Sequence, residues 1–178
     1  MKSISKNDLL IINIQLGRSP DNVMGIIRKC PQNRPMVIIT SPYCSQKGVF
    51  PTTYWLSCPY YVKEVARLED KGLIKKFTRK LKRDPVFYEK LKKAHQEYAG
   101  QRFSLLTEQQ IKEIKQKSLK MLRVLKKSGV GGIMTKKGIK CLHTHLADFL
   151  VNKTNPVGQK VLKRLPPITE CDCFDCGL

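Results

Sequence analysis

Cys141-Leu142-His143-Thr144-His145 places one thiol and two imidazoles within five residues. The apolar spacing around them predicts a helix from roughly Ile139 to Val151. On such a helix Cys141 and His145, four apart, share a face with Cβ atoms about 5–6 Å apart, close enough to ligate one ion. Asp148 continues that face as a third ligand or as acceptor for an imidazole N–H. His143 points elsewhere and is the candidate general base should the chain be an enzyme. The same residue types also serve as a small buried hydrophobe and as hydrogen-bonded core histidines, so the segment alone leaves both readings open.

A second group lies at the C-terminus, where Cys171, Cys173 and Cys176 form C-x-C-x-x-C. Thiolates are the preferred ligands of zinc and of iron–sulfur centres, and three of them leave one tetrahedral position for Cys141, His143 or His145 to fill. The alternative is an exposed, oxidisable tail with no ion. Cys58 directly precedes Pro59, the start of an expected helix, whose positive end favours thiolate, so Cys58 is a ligand, a reactive group or an ordinary buried thiol. Cys30, before Pro31, is a further candidate, and Cys44 fits no pattern.

Elements must bring these groups together. Ser5 to Asp8 reads as a helix start, with the helix running through Leu16 to a stop at Gly17. Val23 to Lys29, Met36 to Thr40 and Tyr54 to Leu56 read as short strands. Helices follow from Pro59, from Asp84 to Gly100, and from Thr107 to Gly129, then a basic glycine-rich loop, the His-bearing helix, and a break at Asn155-Pro156. The expected fold class is α+β: a small antiparallel N-terminal sheet packed with a mainly helical middle and C-terminal part. The expected organisation is a single domain over 1–178, with the sheet within about 20–58, a helical region over 59–165 and a Cys-rich tail over 166–178.

Charge adds a partner class. The 178 residues carry 34 Lys+Arg against 14 Asp+Glu, a formal net charge of +20, and residues 63–128 alone hold 20 basic and 8 acidic side chains. Lys75, Lys76, Arg79, Lys80, Lys82 and Arg83 form the densest run, suited to phosphates of RNA or another polyanion, although a solvated helix face has the same composition. No G-x-x-x-x-G-K-[ST], strand-linked G-x-G-x-x-G or G-x-S-x-G occurs, which disfavours P-loop, Rossmann and serine-hydrolase chemistry. No apolar stretch is long enough to span a bilayer and no secretion signal is evident, so a cytoplasmic protein with reduced thiols is expected.

Several segments together resemble a known family. Gln15-Leu16-Gly17-Arg18, Cys30-Pro31, Phe50-Pro51-Thr52-Thr53-Tyr54-Trp55-Leu56-Ser57-Cys58-Pro59, Arg67-Leu68-Glu69, Lys140-Cys141-Leu142-His143-Thr144-His145-Leu146-Ala147 and Asn155-Pro156-Val157-Gly158 are similar to DUF501, a bacterial domain family of unknown function. The resemblance implies an intracellular bacterial protein and no established activity. It also groups Cys30, Cys58, Cys141, His143 and His145 inside matching motifs, while the high charge and the Cys tail lie outside what it carries.

Two functional expectations follow. The first is a metal-binding protein, holding zinc or an iron–sulfur cluster on some of Cys58, Cys141, His145, Cys171, Cys173 and Cys176, with a basic helical surface for RNA or another polyanion. The second is a metal-dependent enzyme acting on a phosphorylated or nucleic-acid substrate.

Overall fold

The computed structural model of the chain describes residues 4–135, 138–168 and 176. Its architecture turns on strand β2 (Pro35–Thr40), which is buried at every position. Successive side chains of a strand face opposite ways, so a strand buried throughout needs cover on both sides. β2 is the middle of a three-stranded antiparallel sheet, flanked by β1 (Val23–Lys29) and β5 (Tyr54–Leu56). Helix α1 (Lys6–Leu16) packs on β2, and α7 (Leu142–Asn152) crosses all three strands. Between β2 and β5 the chain makes a small hairpin, β3 (Tyr43–Cys44) with β4 (Gly48–Val49), which is too short to leave a periodic trace in the sequence.

Helices complete the α+β fold: α2 (Pro59–Asp70), α3 (Leu73–Arg83), α4 (Pro85–Ser104), α5 (Glu108–Lys117), α6 (Leu119–Lys127) and α8 (Pro156–Leu162). Several begin at the expected caps. Ser5 accepts from the Asp8 N–H, Asp84 from the Phe87 N–H, and Thr107 forms a reciprocal capping box with Gln110. Some expectations change, and the helix expected to stop at Gly100 runs on to Ser104. The helix anticipated from Thr107 to Gly129 is two helices, because Ser118 is extended: its N–H still bonds the Ile114 carbonyl while its hydroxyl caps α6 at the Met121 N–H. The glycine-rich stretch opens with a largely buried 3-10 turn, Val130–Gly132.

That turn is held by an internal charge. Arg102 on α4 is wholly buried, and its guanidinium donates to the carbonyls of Pro51 (2.8 Å), Leu125 (2.6 and 2.9 Å) and Ser128 (2.5 Å). Burial lowers its pKa to about 10, which leaves it charged at neutral pH. Main-chain carbonyls alone satisfy this cation. Replacing Arg102 by Met would strand three buried acceptors, each costing about 1–3 kcal/mol. The expected outcome is a loss of about 3–5 kcal/mol of unfolding free energy in urea titrations, comparable to removing one partner of a buried ion pair, and a loss below about 1 kcal/mol would contradict this role.

Candidate metal centre

Helix α7 begins at Leu142 rather than near Ile139, and this shift decides the site. Cys141 is its N-cap in extended conformation (φ −144°, ψ 130°), so the one-face spacing of Cys141 and His145 does not apply. The Cys141 side chain makes no capping bond. A carboxylate from another helix does that work: Glu69, in the last turn of α2, accepts the Leu142 N–H at 2.6 Å. It thereby sets a negative group at the positive end of α7.

α2 also orients His143. Its Nε2 lies 3.0 Å from the Val62 carbonyl, an acceptor only, so Nε2 carries a proton. The opposite nitrogen, Nδ1, therefore faces Cys141 Sγ and Glu69 Oε1, at 3.3 Å from each. The three donor atoms all lie within 4.8 Å of one another. About a quarter of the His143 and Glu69 side-chain surfaces remains exposed, so the cluster is open to solvent.

Burial pushes the His143 pKa down, but the hydrogen bond and charge of Cys141, then the Val62 carbonyl and Glu69, outweigh it and hold the value at about 9. With no ion bound, an imidazolium bridges thiol and carboxylate. Exchanging that bridging proton together with the thiol proton of Cys141 for one divalent cation would keep the charge balance. Zinc bonds of about 2.0–2.2 Å to N and O and about 2.3 Å to S put ligand atoms of a tetrahedron roughly 3.3–3.6 Å apart, close to the two 3.3 Å separations of His143 Nδ1 from Cys141 Sγ and Glu69 Oε1. The Val62 carbonyl is the outer partner that ligating histidines commonly have.

The other expected ligands lie elsewhere. Cys58 is the buried N-cap of α2, and Cys30 sits half-buried in the β1–β2 turn, where it accepts the Arg34 N–H. Cys176 is buried beside the Gln15 amide, 3.4 Å away, while Cys171 and Cys173 fall outside the described residues. His145 is fully buried, and burial drops its pKa to about 3, so it is neutral. The Asn155 amide donates to its Nδ1 and to Asp148, whose carboxyl burial raises to about 6. These two belong to a core network with Asn152 and Gln101. Sequence reasoning missed Glu69 as a member of this cluster, since its only signal was its place in Arg67-Leu68-Glu69.

Residues 26–163 match the protein family described as "Protein of unknown function (DUF501)". That span contains Glu69, Cys141 and His143 and excludes the C-terminal Cys cluster. No curated protein and no solved structure matches the chain. Among the described residues no helix is long and apolar enough to cross a membrane.

Because Cys141 is the main contact raising the His143 pKa, Cys141→Ala should lower it from about 9 toward or below 6.5. Titration of the ring by NMR reads this directly. A pKa that stays near 9 in the variant would show that the thiol does not face Nδ1.

Proposed function

The chain belongs to the DUF501 family, and since membership brings no activity with it, we propose from the geometry that this protein is a zinc-binding protein with Glu69, Cys141 and His143 as ligands. The observation that carries the reading is the His143 ring. Its Nε2 is committed to the Val62 carbonyl, and its Nδ1 converges with a thiol and a carboxylate. One sulfur, one nitrogen and one oxygen suit zinc better than an iron–sulfur cluster, which wants several thiolates. Thiolate and carboxylate together would neutralise the divalent ion.

The second component is a basic face for RNA or another polyanion. Helix α3 buries Leu73, Phe77 and Leu81 and turns Lys75, Lys76, Arg79, Lys82 and Arg83 outward. Lys80 pairs with Asp84, and among the described residues no carboxylate lies within ion-pair distance of the other five. Unneutralised cations on one rigid helix are what counterion release rewards. A reduced thiolate ligand fits a cytoplasmic setting. Three protein ligands and solvent access also favour the enzymatic reading, because a fourth position open to water is the mark of catalytic zinc sites. In that case the substrate is phosphorylated or a nucleic acid, and His143 serves as a ligand instead of a free general base.

Zinc titration of the metal-free protein should show one equivalent bound. Cys141→Ala and His143→Ala should each abolish it with the fold intact by circular dichroism, while Cys176→Ala should not. Because the ion displaces the His143 proton, affinity should rise at least about tenfold per pH unit up to about 9, the folded-state pKa, and level off above it for that proton. Zinc bound equally well by both variants would overturn the assignment. The polyanion surface predicts RNA retention that falls with salt. Reversing Arg79 and Arg83 to Glu should flatten the log–log salt slope by roughly 0.7 for each phosphate that the helix then leaves unneutralised.

A further inference from the structure

We propose that the groove between α4 and α6 is a seat for a nucleoside diphosphate, using residues other than those of the metal centre and of α3. The groove has a volume of about 470 Å³ and takes Arg123, Lys126 and Lys127 from α6 and Gln96, Ala99 and Gly100 from α4. That size is typical of small-molecule sites. The three cations sit at i, i+3 and i+4, so they project from one face. All three are exposed, no carboxylate lines the groove, and none lies within ion-pair distance of them among the described residues.

An anion beside the last turn of a helix meets the negative end of its dipole. Here that end is already occupied. Arg102 donates into the carbonyls of Val124, Leu125 and Ser128 from beneath, with no carboxylate of its own. Its buried charge removes the repulsion that would otherwise oppose phosphate at Lys126 and Lys127.

Gly100 is the independent sign of an occupant. It lies well inside α4, its φ is outside the left-handed region, and a Cβ placed on it would meet nothing within 4 Å. A glycine in a helix interior costs about 1 kcal/mol relative to Ala, and neither backbone conformation nor packing asks for one here. Flanked by the small Ala99, it leaves a low stretch of helix surface where a ligand can approach the backbone. Exposed Gln96 supplies an amide with both donor and acceptor for a base edge, and Met134, 48% exposed, lines the groove with an apolar thioether suited to a base face. Phosphates at the cations and a base along this wall fit a nucleotide better than a bare polyanion.

Gly100→Leu separates a groove from a charged surface, because it fills the floor, leaves the net charge unchanged and suits a helix better than Gly. Calorimetry with ADP, GDP, CDP and UDP on the wild-type chain should detect binding of at least one. Gly100→Leu and Arg123→Ala should each weaken that nucleotide at least about tenfold, with thermal melts confirming that both variants fold. Inorganic pyrophosphate should bind more weakly than the nucleotide. Absence of binding by all four nucleotides, full affinity in Gly100→Leu, or equal affinity for pyrophosphate would overturn the proposal, and the last two would leave only a polyelectrolyte surface. The zinc titration is unaffected by any of these results.

Discussion

A buried guanidinium with no acidic partner among the described residues holds the helical half of this protein in place. Arg102 reaches from α4 to Pro51 on the approach to β5, to Leu125 in the last turn of α6, and to Ser128 beyond it. The next residues are fixed in turn: the Val130 N–H donates to His95 Nδ1, and Gly129 lies so close to His95 that a Cβ there would come within 2.4 Å of the ring. Gly131, at φ +68°, then fits against Thr144 in the first turn of α7, where a Cβ would stand 2.9 Å from the hydroxyl. The start of α7 is therefore located from one side by a turn that Arg102 anchors. From the other side Glu69 and Val62 of α2 locate it. Cys141 and His143 occupy the place where these two constraints meet.

The far end of α7 is set by polar groups of a different kind. Asn155 caps α8 through its carbonyl oxygen, which accepts the Val157 and Gly158 N–H groups, and spends its amide on His145 and Asp148. Gly158 allows α8 to pass so near α7 that a Cβ would fall 2.1 Å from the His145 carbonyl. A neutral imidazole suits this interior, and the Asp148 carboxylate, still largely ionised at neutral pH with a pKa of about 6, is compensated by the side-chain amides of Asn152 and Asn155. His145 and Asp148 thus look like ligands by type and spacing, yet their surroundings favour hydrogen bonding within the core.

Local rules were readable in the sequence wherever one residue or one short segment decides the outcome. Ser5, Asp84 and Thr107 announce helix starts by their side chains, and β2 announces a buried strand by an apolar run. The split at Ser118 was hidden because the apolar spacing on its two sides continues almost unbroken; only the hydroxyl's capping role, a three-dimensional fact, distinguishes it. The candidate metal centre was half legible. Cys141 and His143 stood in the right segment, but helical spacing paired Cys141 with His145, and the phase of a helix depends on where it starts. That start is fixed by Glu69, 73 residues earlier in the chain. A contact of that range leaves no periodic trace in one sequence.

The charge excess also changes meaning once its members are placed. Of the basic side chains in residues 63–128, Arg102 is interior and acts on carbonyls, and Lys80 is tied to Asp84, whose carboxyl it holds below the usual range. The other basic side chains of α3 are exposed and, among the described residues, have no carboxylate at ion-pair distance, so their potential is felt in solvent and is screened over about 8–10 Å at physiological salt. The cluster of Glu69, Cys141 and His143 has the opposite design: a thiol and a carboxylate converge on a single imidazole in partial burial, where screening is weaker. On the proposed function, a cation would be drawn to one region and polyanions to the other. These preferences need not compete, because an ion neutralised by its own thiolate and carboxylate adds little to the field that the lysines and arginines present.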